Sequence, residues 1–329
     1  MKKLMVILTV LILAASFTAC ADRNTIYERK SPVYLETPEP GNERDWEIIA
    51  TEVPASPTPE VTEDPYELPF NFTGYAYCVI NGTTGEVLLG ENADTRNYIA
   101  SITKVLTVMT ALDWLSVSES VYVKKGWLDL LKTDSGIDSY GMREETKWNV
   151  GDLVAMALVK SFADAAIVLG KAAEERSGRN FLDLMNEKAL FYGMNDSHFD
   201  NVVGLDIGNN FFENYSTAAD AAKLMAEALK DETVMKVCCG DNVKLSTGSV
   251  LQNTSAFLTQ KKTGASYTIL GGKTGYTKAA GSTFAVAVRS NATGTVYVVS
   301  YLHGIGMTVL GNEIHSMLEY LISKETTRG

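Results

Sequence analysis

The stretch Asn97-Tyr98-Ile99-Ala100-Ser101-Ile102-Thr103-Lys104 places a serine and a lysine three residues apart where an apolar-periodic run begins. On a helix Ser101 and Lys104 lie on one face, so the amine can approach the hydroxyl. Burial and nearby positive charge can lower the pKa of such a lysine until it acts as a general base. The stretch therefore predicts a helix that carries a nucleophilic serine, although a lone Ser-x-x-Lys is a weak signal because a lysine on a helix is often simply solvated. The apolar residues recur at the three-and-four spacing of a buried helix: Ile102, Val105, Leu106, Met109, Leu112 and Leu115.

Two further motifs follow in the chain. Ser161-Phe162-Ala163-Asp164 falls in a predicted loop between two helices, and Lys273-Thr274-Gly275 follows Gly271-Gly272 and precedes a predicted strand pair. A lysine and a hydroxyl on an edge strand can bind a substrate carboxylate, and the glycine lets a peptide backbone lie close. Taken singly, the serine could merely cap a helix and the lysine could be an exposed edge-strand charge. A second Lys-Thr-Gly, at Lys262-Thr263-Gly264, lies among polar residues and is interpreted as a loop turn.

The periodicity of the remaining chain predicts strand, helix, a helical lobe, strands and a final helix. The fold class is thus α/β (α+β), an antiparallel sheet flanked by helices, with a second all-α lobe at about residues 118–240. The predicted elements are a hairpin at 75–80 and 86–89, helices at 150–158, 164–176, 181–190, 217–229 (capped by Ser216) and 307–322, and strands at 267–270, 283–289 and 295–302.

Together the three motifs resemble the penicillin-binding serine hydrolases with Ser-x-x-Lys, Ser-x-Asn and Lys-Thr-Gly motifs. Within them the sequence is similar to the low-molecular-weight D-Ala-D-Ala carboxypeptidases, which are peptidase S11-like and have a β-lactamase/transpeptidase-like fold. The likeness extends over several shorter runs besides the motifs: Asn149-Val150-Gly151-Asp152-Leu153, Ser197-His198-Phe199 with Gly204-Leu205, Tyr215-Ser216-Thr217, and Tyr276-Thr277 through Ala280-Gly281.

The resemblance implies an acyl-enzyme mechanism on peptidoglycan stem peptides. Ser101 would attack the D-Ala-D-Ala amide, Lys104 would accept its proton, and Ser161 would pass a proton to the departing amine. The substrate-binding residues would be Lys273 and Thr274 for the terminal carboxylate, Gly275 for close approach, and Tyr276, whose backbone N–H would complete an oxyanion hole with that of Ser101. β-Lactam antibiotics would be covalent inhibitors.

The sequence departs from the family pattern at two places. Ala163 stands where the family has an asparagine, so a side-chain amide is missing, and Asn201-Val202-Val203-Gly204 stands where relatives often have Asn-Pro-His-Gly. The first departure leaves open a catalytically weakened penicillin- or peptidoglycan-binding protein. A class A-like β-lactamase is a further alternative, but no Glu-x-x-x-Asn occurs between Ser161 and Lys273 to activate a deacylating water.

The first 69 residues predict export and a tether. Lys2 and Lys3, an apolar run and the stretch Phe17-Thr18-Ala19-Cys20 predict a signal peptide at 1–20 of the lipoprotein type, with Cys20 lipidated; ordinary cleavage or an uncleaved anchor are the alternatives. Residues 21–69 contain all eight prolines of the chain, and their twelve acidic residues outnumber their four basic ones. This composition is typical of a disordered linker. The hydrolase domain would occupy 70–329, on the outer face of the cytoplasmic membrane.

The rest of the composition argues against several other classes of site. Cys78, Cys238 and Cys239 form no metal spacing and no disulfide framework, and we predict small apolar roles near a helix end for the last two. The histidines His198, His303 and His315 suggest no Ser-His-Asp triad. There is no phosphate-binding glycine loop and no basic face for nucleic acid. We therefore expect no cofactor, no metal and no nucleic-acid partner.

Overall fold

The computed structural model describes residues 72–132, 137–206, 214–240, 242–253, 255–259 and 265–328. The predicted signal peptide with Cys20, the linker at 21–69 and the second Lys-Thr-Gly at Lys262-Thr263-Gly264 lie outside the described residues.

A five-stranded antiparallel sheet in the order β2-β1-β9-β8-β7 forms the first layer of the fold. Its alternating and β-branched segments pair as hairpins across short glycine-bearing turns, as the sequence predicted. Strand β7 is the exception, because the predicted strand ended at residue 270 and the observed one continues through the glycine-rich motif, which β8 pairs along its whole length. The strands are β1 Ala76–Asn81, β2 Val87–Glu91, β3 Ser120–Tyr122, β4 Lys147–Asn149, β5 Val243–Lys244, β6 Val250–Leu251, β7 Tyr267–Thr277, β8 Gly281–Ser290 and β9 Val296–Gly304.

Helices cover both faces of this sheet. Eight α-helices are found among the described residues: α1 Thr103–Leu112, α2 Val150–Val159, α3 Ala163–Ser177, α4 Phe181–Phe191, α5 Ala218–Ala228, α6 Glu232–Cys238, α7 Ala256–Thr259 and α8 Met307–Arg328. One apolar core joins α1 to α6 with one face of the sheet, and a second core lies between the other face and α8. The predicted α/β class, with an antiparallel sheet flanked by helices, is confirmed.

Two helix starts differ from the sequence prediction. A 3-10 turn at Ala100–Ile102 precedes α1, so Ser101 lies in that turn rather than in the helix proper. Helix α5 is capped by Thr217, whose side chain accepts the backbone N–H of Asp220, and the prediction of Ser216 as cap was wrong by one residue. Ser216 instead forms an isolated β-bridge with Asn97, and this pairing holds its backbone extended before the helix begins.

Among the described residues, no helix combines the length and the apolar character needed to cross a bilayer.

Candidate active site

Ser101, in the 3-10 turn, is hydrogen-bonded to Lys104, in the first turn of helix α1. The Nζ of Lys104 lies 2.7 Å from the Oγ of Ser101, as their spacing of three on a helical turn predicted. The turn begins with Ala100 at φ 48°, in the left-handed region that non-glycine residues rarely adopt. A strained backbone at this point directs the serine towards the cleft described below.

The amine of Lys104 is buried and has two hydrogen-bond partners among the described residues. Lys104 is 3 % exposed, and its second hydrogen bond, 2.8 Å long, goes to the backbone oxygen of Val203. Burial lowers its pKa well below the ordinary lysine value, and the charge of Lys273 lowers it further, while Asp138 acts in the opposite direction. A neutral amine hydrogen-bonded to a serine hydroxyl can accept the proton of that hydroxyl.

The loop that presents Val203 is shaped by two asparagines. The Oδ1 of Asn201 accepts three backbone N–H groups of its own loop, including that of Gly204 at 2.8 Å. Asn214 in turn accepts the N–H of Asn201 at 2.9 Å and donates to its carbonyl at 2.9 Å. The sequence analysis named Asn201 only as part of a family landmark and missed Asn214. The role of Asn214 depends on the burial of its side-chain amide, and the sequence alone does not show which polar side chains are buried.

Gly204 lets this loop touch the serine turn. Its φ is 78°, and a Cβ at this position would lie 1.9 Å from the carbonyl oxygen of Ala100. Only glycine accepts both the conformation and the contact. The loop whose Val203 carbonyl accepts the hydrogen bond of Lys104 is therefore packed, backbone to backbone, against the turn that carries Ser101.

Ser161 and Lys273 form the opposite wall of the site. Ser161 lies between α2 and α3 at φ 60°, and its Oγ accepts a hydrogen bond of 3.0 Å from the Nζ of Lys273. The same amine donates to the carbonyl of Thr274 at 2.6 Å. Lys273 is 2 % exposed, so it is a buried cation of the edge strand and not a solvated charge. Burial lowers its pKa to about 8.

Strand β7 approaches the serine turn through a glycine. A Cβ on Gly275 would lie 2.8 Å from the backbone nitrogen of Ser101 and 2.5 Å from the Oγ1 of Thr283, which itself donates to the carbonyl of Ile99. The glycine therefore allows the edge strand and the serine turn to meet. Next to it, the side chain of Tyr276 is 69 % exposed.

A cleft of about 610 Å³ opens between these elements. The sequence-predicted residues that line it are Ser101, Ser161, Lys273, Thr274, Gly275 and Tyr276, with Lys104 hydrogen-bonded to Ser101. All seven residues that the sequence analysis selected in the folded part thus meet at one place.

The cleft also contains a carboxylate that the sequence analysis did not select. Asp138 lines it, and the carbonyl of Asp138 accepts the backbone N–H of Ala163 at 2.9 Å. Ala163, which stands where the family has an asparagine, is buried at the first position of α3. Asp138 lies in an irregular segment with no local motif, so nothing in the sequence marked it.

The described residues contain no group of three or more His, Cys, Asp and Glu that could hold a metal ion. Cys78, Cys238 and Cys239 are not in disulfide bonds, and burial raises the pKa of the Cys78 and Cys238 thiols to about 12. Cys238 ends α6 as a buried apolar side chain, as predicted.

Comparison with known families agrees with this geometry. Residues 62–300 match the peptidase S11 family, described as D-alanyl-D-alanine carboxypeptidase. The chain belongs to this family. The S11 match includes all three motifs and the two asparagines of the Val203 loop.

Individual curated relatives match shorter parts of this chain than the family model does. The D-alanyl-D-alanine carboxypeptidase of Streptomyces sp. strain K15 is 31 % identical over 172 residues, which cover 50 % of this chain and 56 % of that protein. The chain spans about half the length of the first curated relatives that it matches.

Solved structures of related proteins share the fold, and two of them serve as examples. The D-alanyl-D-alanine carboxypeptidase of Mycobacterium tuberculosis H37Rv superposes with a TM-score of 0.65 at 21 % identity, covering 77 % of this chain and 92 % of that one. Penicillin-binding protein D2 of Listeria monocytogenes, in a cefotaxime-bound form, gives 0.65 at 24 % identity, covering 77 % and 99 %.

Proposed function

We propose that this protein is a serine-type D-Ala-D-Ala carboxypeptidase that trims peptidoglycan stem peptides through an acyl-enzyme. The observation that supports this most directly is the 2.7 Å contact between the Lys104 amine and the Ser101 hydroxyl, at a cleft that Lys273 also lines. Membership of the S11 family supplies the substrate class.

In the first step, Ser101 Oγ attacks the carbonyl carbon of the amide that joins the two D-Ala residues. The hydroxyl proton passes to the neutral amine of Lys104, whose lowered pKa suits it to this task. The carbonyl oxygen becomes an oxyanion, for which the backbone N–H groups of Ser101 and Tyr276 are the proposed donors.

In the second step, the tetrahedral intermediate breaks its C–N bond and the terminal D-Ala leaves. Ser161 is the proposed route for the proton that this amine requires, since its Oγ is held by Lys273 at 3.0 Å and faces the same cleft. Water then attacks the acyl-enzyme and releases the shortened peptide with Ser101 restored.

Substrate orientation depends on the terminal carboxylate. Lys273 and Thr274 are its proposed partners, because a buried ammonium beside a hydroxyl can form charge-assisted and neutral hydrogen bonds with a carboxylate. Gly275 is the proposed point at which the substrate backbone lies against the edge strand.

β-Lactams are the proposed covalent inhibitors, because the strained amide of the antibiotic would be attacked by the same serine. The cefotaxime-bound Listeria relative motivates this proposal. A second candidate function, a catalytically weakened binder of penicillin or peptidoglycan, is favoured by one observation, the missing amide at Ala163.

A gel assay with a fluorescent penicillin separates the two functions. We expect wild-type protein to be labelled and Ser101→Ala to be unlabelled, with exposed Ser118→Ala as a matched control that keeps the label. Release of D-Ala from a pentapeptide, measured in parallel, should follow the same pattern. Absence of labelling in the wild type at high probe concentration would favour a non-catalytic peptidoglycan binder, whereas labelling without release of D-Ala would favour a weakened penicillin binder.

We also propose that the hydrolase domain at 70–329 is tethered in the cell envelope by a lipid on Cys20, with 21–69 as the spacer. The signal-like composition of the first twenty residues supports this. Intact-mass analysis of the membrane fraction should detect a diacylglyceryl-modified N-terminus that disappears in Cys20→Ala and persists in Cys239→Ala. An unmodified N-terminus at Ala21 would refute lipidation.

A further inference from the structure

A third polar side chain follows the serine and the lysine along one face of the same helix. Ser101, Lys104 and Thr107 succeed one another at a spacing of three, so they lie on one side of the 3-10 turn and of α1, which continues it. The first two form the hydrogen-bonded pair at the cleft. Thr107 is fully buried, about one turn further along α1. Its hydroxyl takes no part in the acylation steps themselves.

The hydroxyl of Thr107 binds the backbone of the loop that faces the lysine. Its Oγ1 lies 2.7 Å from the carbonyl oxygen of Val202, the usual length of an O–H···O hydrogen bond. Two other acceptors are more distant, the carbonyl of Thr103 at 3.3 Å and the Sδ of Met185 at 3.7 Å. Because a hydroxyl has a single proton to donate, the geometry assigns that proton to Val202.

The next carbonyl of this loop is the one that accepts the lysine amine. Lys104 donates to Val203 at 2.8 Å, so two successive carbonyls are bound by two side chains of α1. At the other end of these peptide groups, the Oδ1 of Asn201 accepts the N–H of Val203 at 3.2 Å and that of Gly204 at 2.8 Å. Both peptide groups that flank Val203 are thus held at the N–H and at the C=O. Since a peptide group is planar, these bonds fix the direction of the Val203 carbonyl.

The direction of that carbonyl decides where the lone pair of the lysine amine points. A neutral amine has two N–H bonds and one lone pair, so Lys104 can donate to Val203 and at the same time accept from Ser101. In the described part of the chain these two groups are its hydrogen-bond partners, and the methyl group of Ala163 adds no acceptor. A general base must lie within hydrogen-bond reach of the proton that it removes. A displaced carbonyl would turn the amine and spoil this alignment.

We propose that Thr107 is a positioning residue for acylation, which acts through the peptide group between Val202 and Val203 to aim the Lys104 amine at Ser101. The proposal rests on the proposed function of Ser101 and Lys104 as nucleophile and base. It assigns Thr107 to the chemical step and not to substrate binding, because this side chain is buried and is not among those that line the cleft.

The first test separates the chemical step from binding. Acylation by a fluorescent penicillin, followed as a function of its concentration, gives a first-order acylation rate constant and the dissociation constant of the initial complex. We expect Thr107→Val, which removes the hydroxyl and keeps the branched shape, to lower the rate constant roughly fivefold to tenfold and to leave the dissociation constant unchanged. Thr107→Ser, which restores a hydroxyl, should recover most of the wild-type rate constant.

The matched control is a second buried threonine of the same helix. Thr110 lies about one turn beyond Thr107, and its Oγ1 has no hydrogen-bond partner among the described residues. Thr110→Val should therefore change neither constant. An equal loss of rate in Thr107→Val and Thr110→Val would show a general effect of α1 and would overturn the proposal. So would a weakened initial complex with an unchanged rate constant in Thr107→Val.

Amide hydrogen exchange tests the link through the loop and requires no activity. The N–H groups of Val203 and Gly204 should exchange faster in Thr107→Val than in the wild type, and at the wild-type rate in Thr110→Val. Should Thr107→Val not fold, Thr107→Cys supplies a weaker donor and should show smaller changes in the same directions. Slowed acylation with unaltered exchange would refute the coupling through this loop. Absence of acylation in the wild type would refute the proposed function instead.

Discussion

The pH dependence of substrate capture follows from the buried amine of Lys273. With a pKa of about 8, the ammonium that we propose as carboxylate partner is lost as the solution becomes mildly alkaline. At about pH 9 only about a tenth of Lys273 carries a proton, and kcat/KM should be roughly tenfold lower than near pH 7. The acidic limb of the same profile should reflect Lys104, which must be neutral to act as base.

The assay is release of D-Ala from an N-acylated tripeptide ending in D-Ala-D-Ala, measured from about pH 6 to about pH 10, because kcat/KM reports groups of the free enzyme. Lys273→Arg should lower the rate and remove the alkaline limb, since arginine keeps its proton throughout. Exposed Lys278→Arg, three residues after the motif and one residue past the end of β7, is the control. A limb near pH 8 that persists in Lys273→Arg would assign it to another group, and a flat wild-type profile would refute the reasoning.

Folding stability offers a check that needs no substrate. Because the folded-state pKa of Lys273 is lowered, the unfolded chain binds the proton more tightly, and wild-type stability should rise as pH increases from about 8 to about 10.5. A shift from the ordinary lysine value to about 8 corresponds to about 3 kcal/mol. Urea unfolding of wild type and Lys273→Met at the two ends of this range should reveal that difference. If wild type and Lys273→Met differ in unfolding free energy by the same amount at both pH values, the Lys273 amine is exposed to solvent and not buried.

Three other perturbations follow from the geometry. Ala163→Asn should raise the penicillin acylation rate about tenfold or more, the size of one recovered hydrogen bond of about 1–3 kcal/mol, and an unchanged rate would show that this position does not face the site. Gly204→Ala should destabilise the fold by at least about 2 kcal/mol more than Gly85→Ala in urea unfolding, since Gly85 has a similar φ of 76° but open space, and equal losses would contradict the close contact. Asp206 accepts a short hydrogen bond from Thr277, yet burial raises its pKa. Relative to Asp206→Asn, the wild type should therefore lose stability as the pH rises above about 4, and a stability difference in urea that stays constant with pH would argue for a solvated carboxylate.

Sequence reasoning predicted the parts of this site that follow from local spacing. A serine and a lysine three apart on a helical turn can only point the same way, and Ser101 with Lys104 did so. The strand that leads to Lys273 was predicted from its apolar residues, over 267–270 only. Its full length was underestimated because Gly271 and Gly272 weaken a strand pattern, whereas pairing with β8 sustains it.

The parts that sequence did not predict are those made by the main chain or by distant segments. The partner of Lys104 is the carbonyl of Val203, and a backbone atom leaves no trace in residue identity. Asp138, which lines the cleft, and Asn214, which bonds to Asn201, lie in irregular segments at places set by long-range packing. Burial of Lys273 likewise required the α lobe to close over the edge strand.

That main-chain contact has a consequence for how this loop can change over evolutionary time. The oxygen that receives the Lys104 amine belongs to no side chain, so substitution of Val203 itself leaves the acceptor in place as long as Asn201 and Gly204 keep the path of the chain. Substitutions of Val202 and Val203 should therefore be tolerated, whereas Asn201 and Gly204 should resist change because they set the path of this loop.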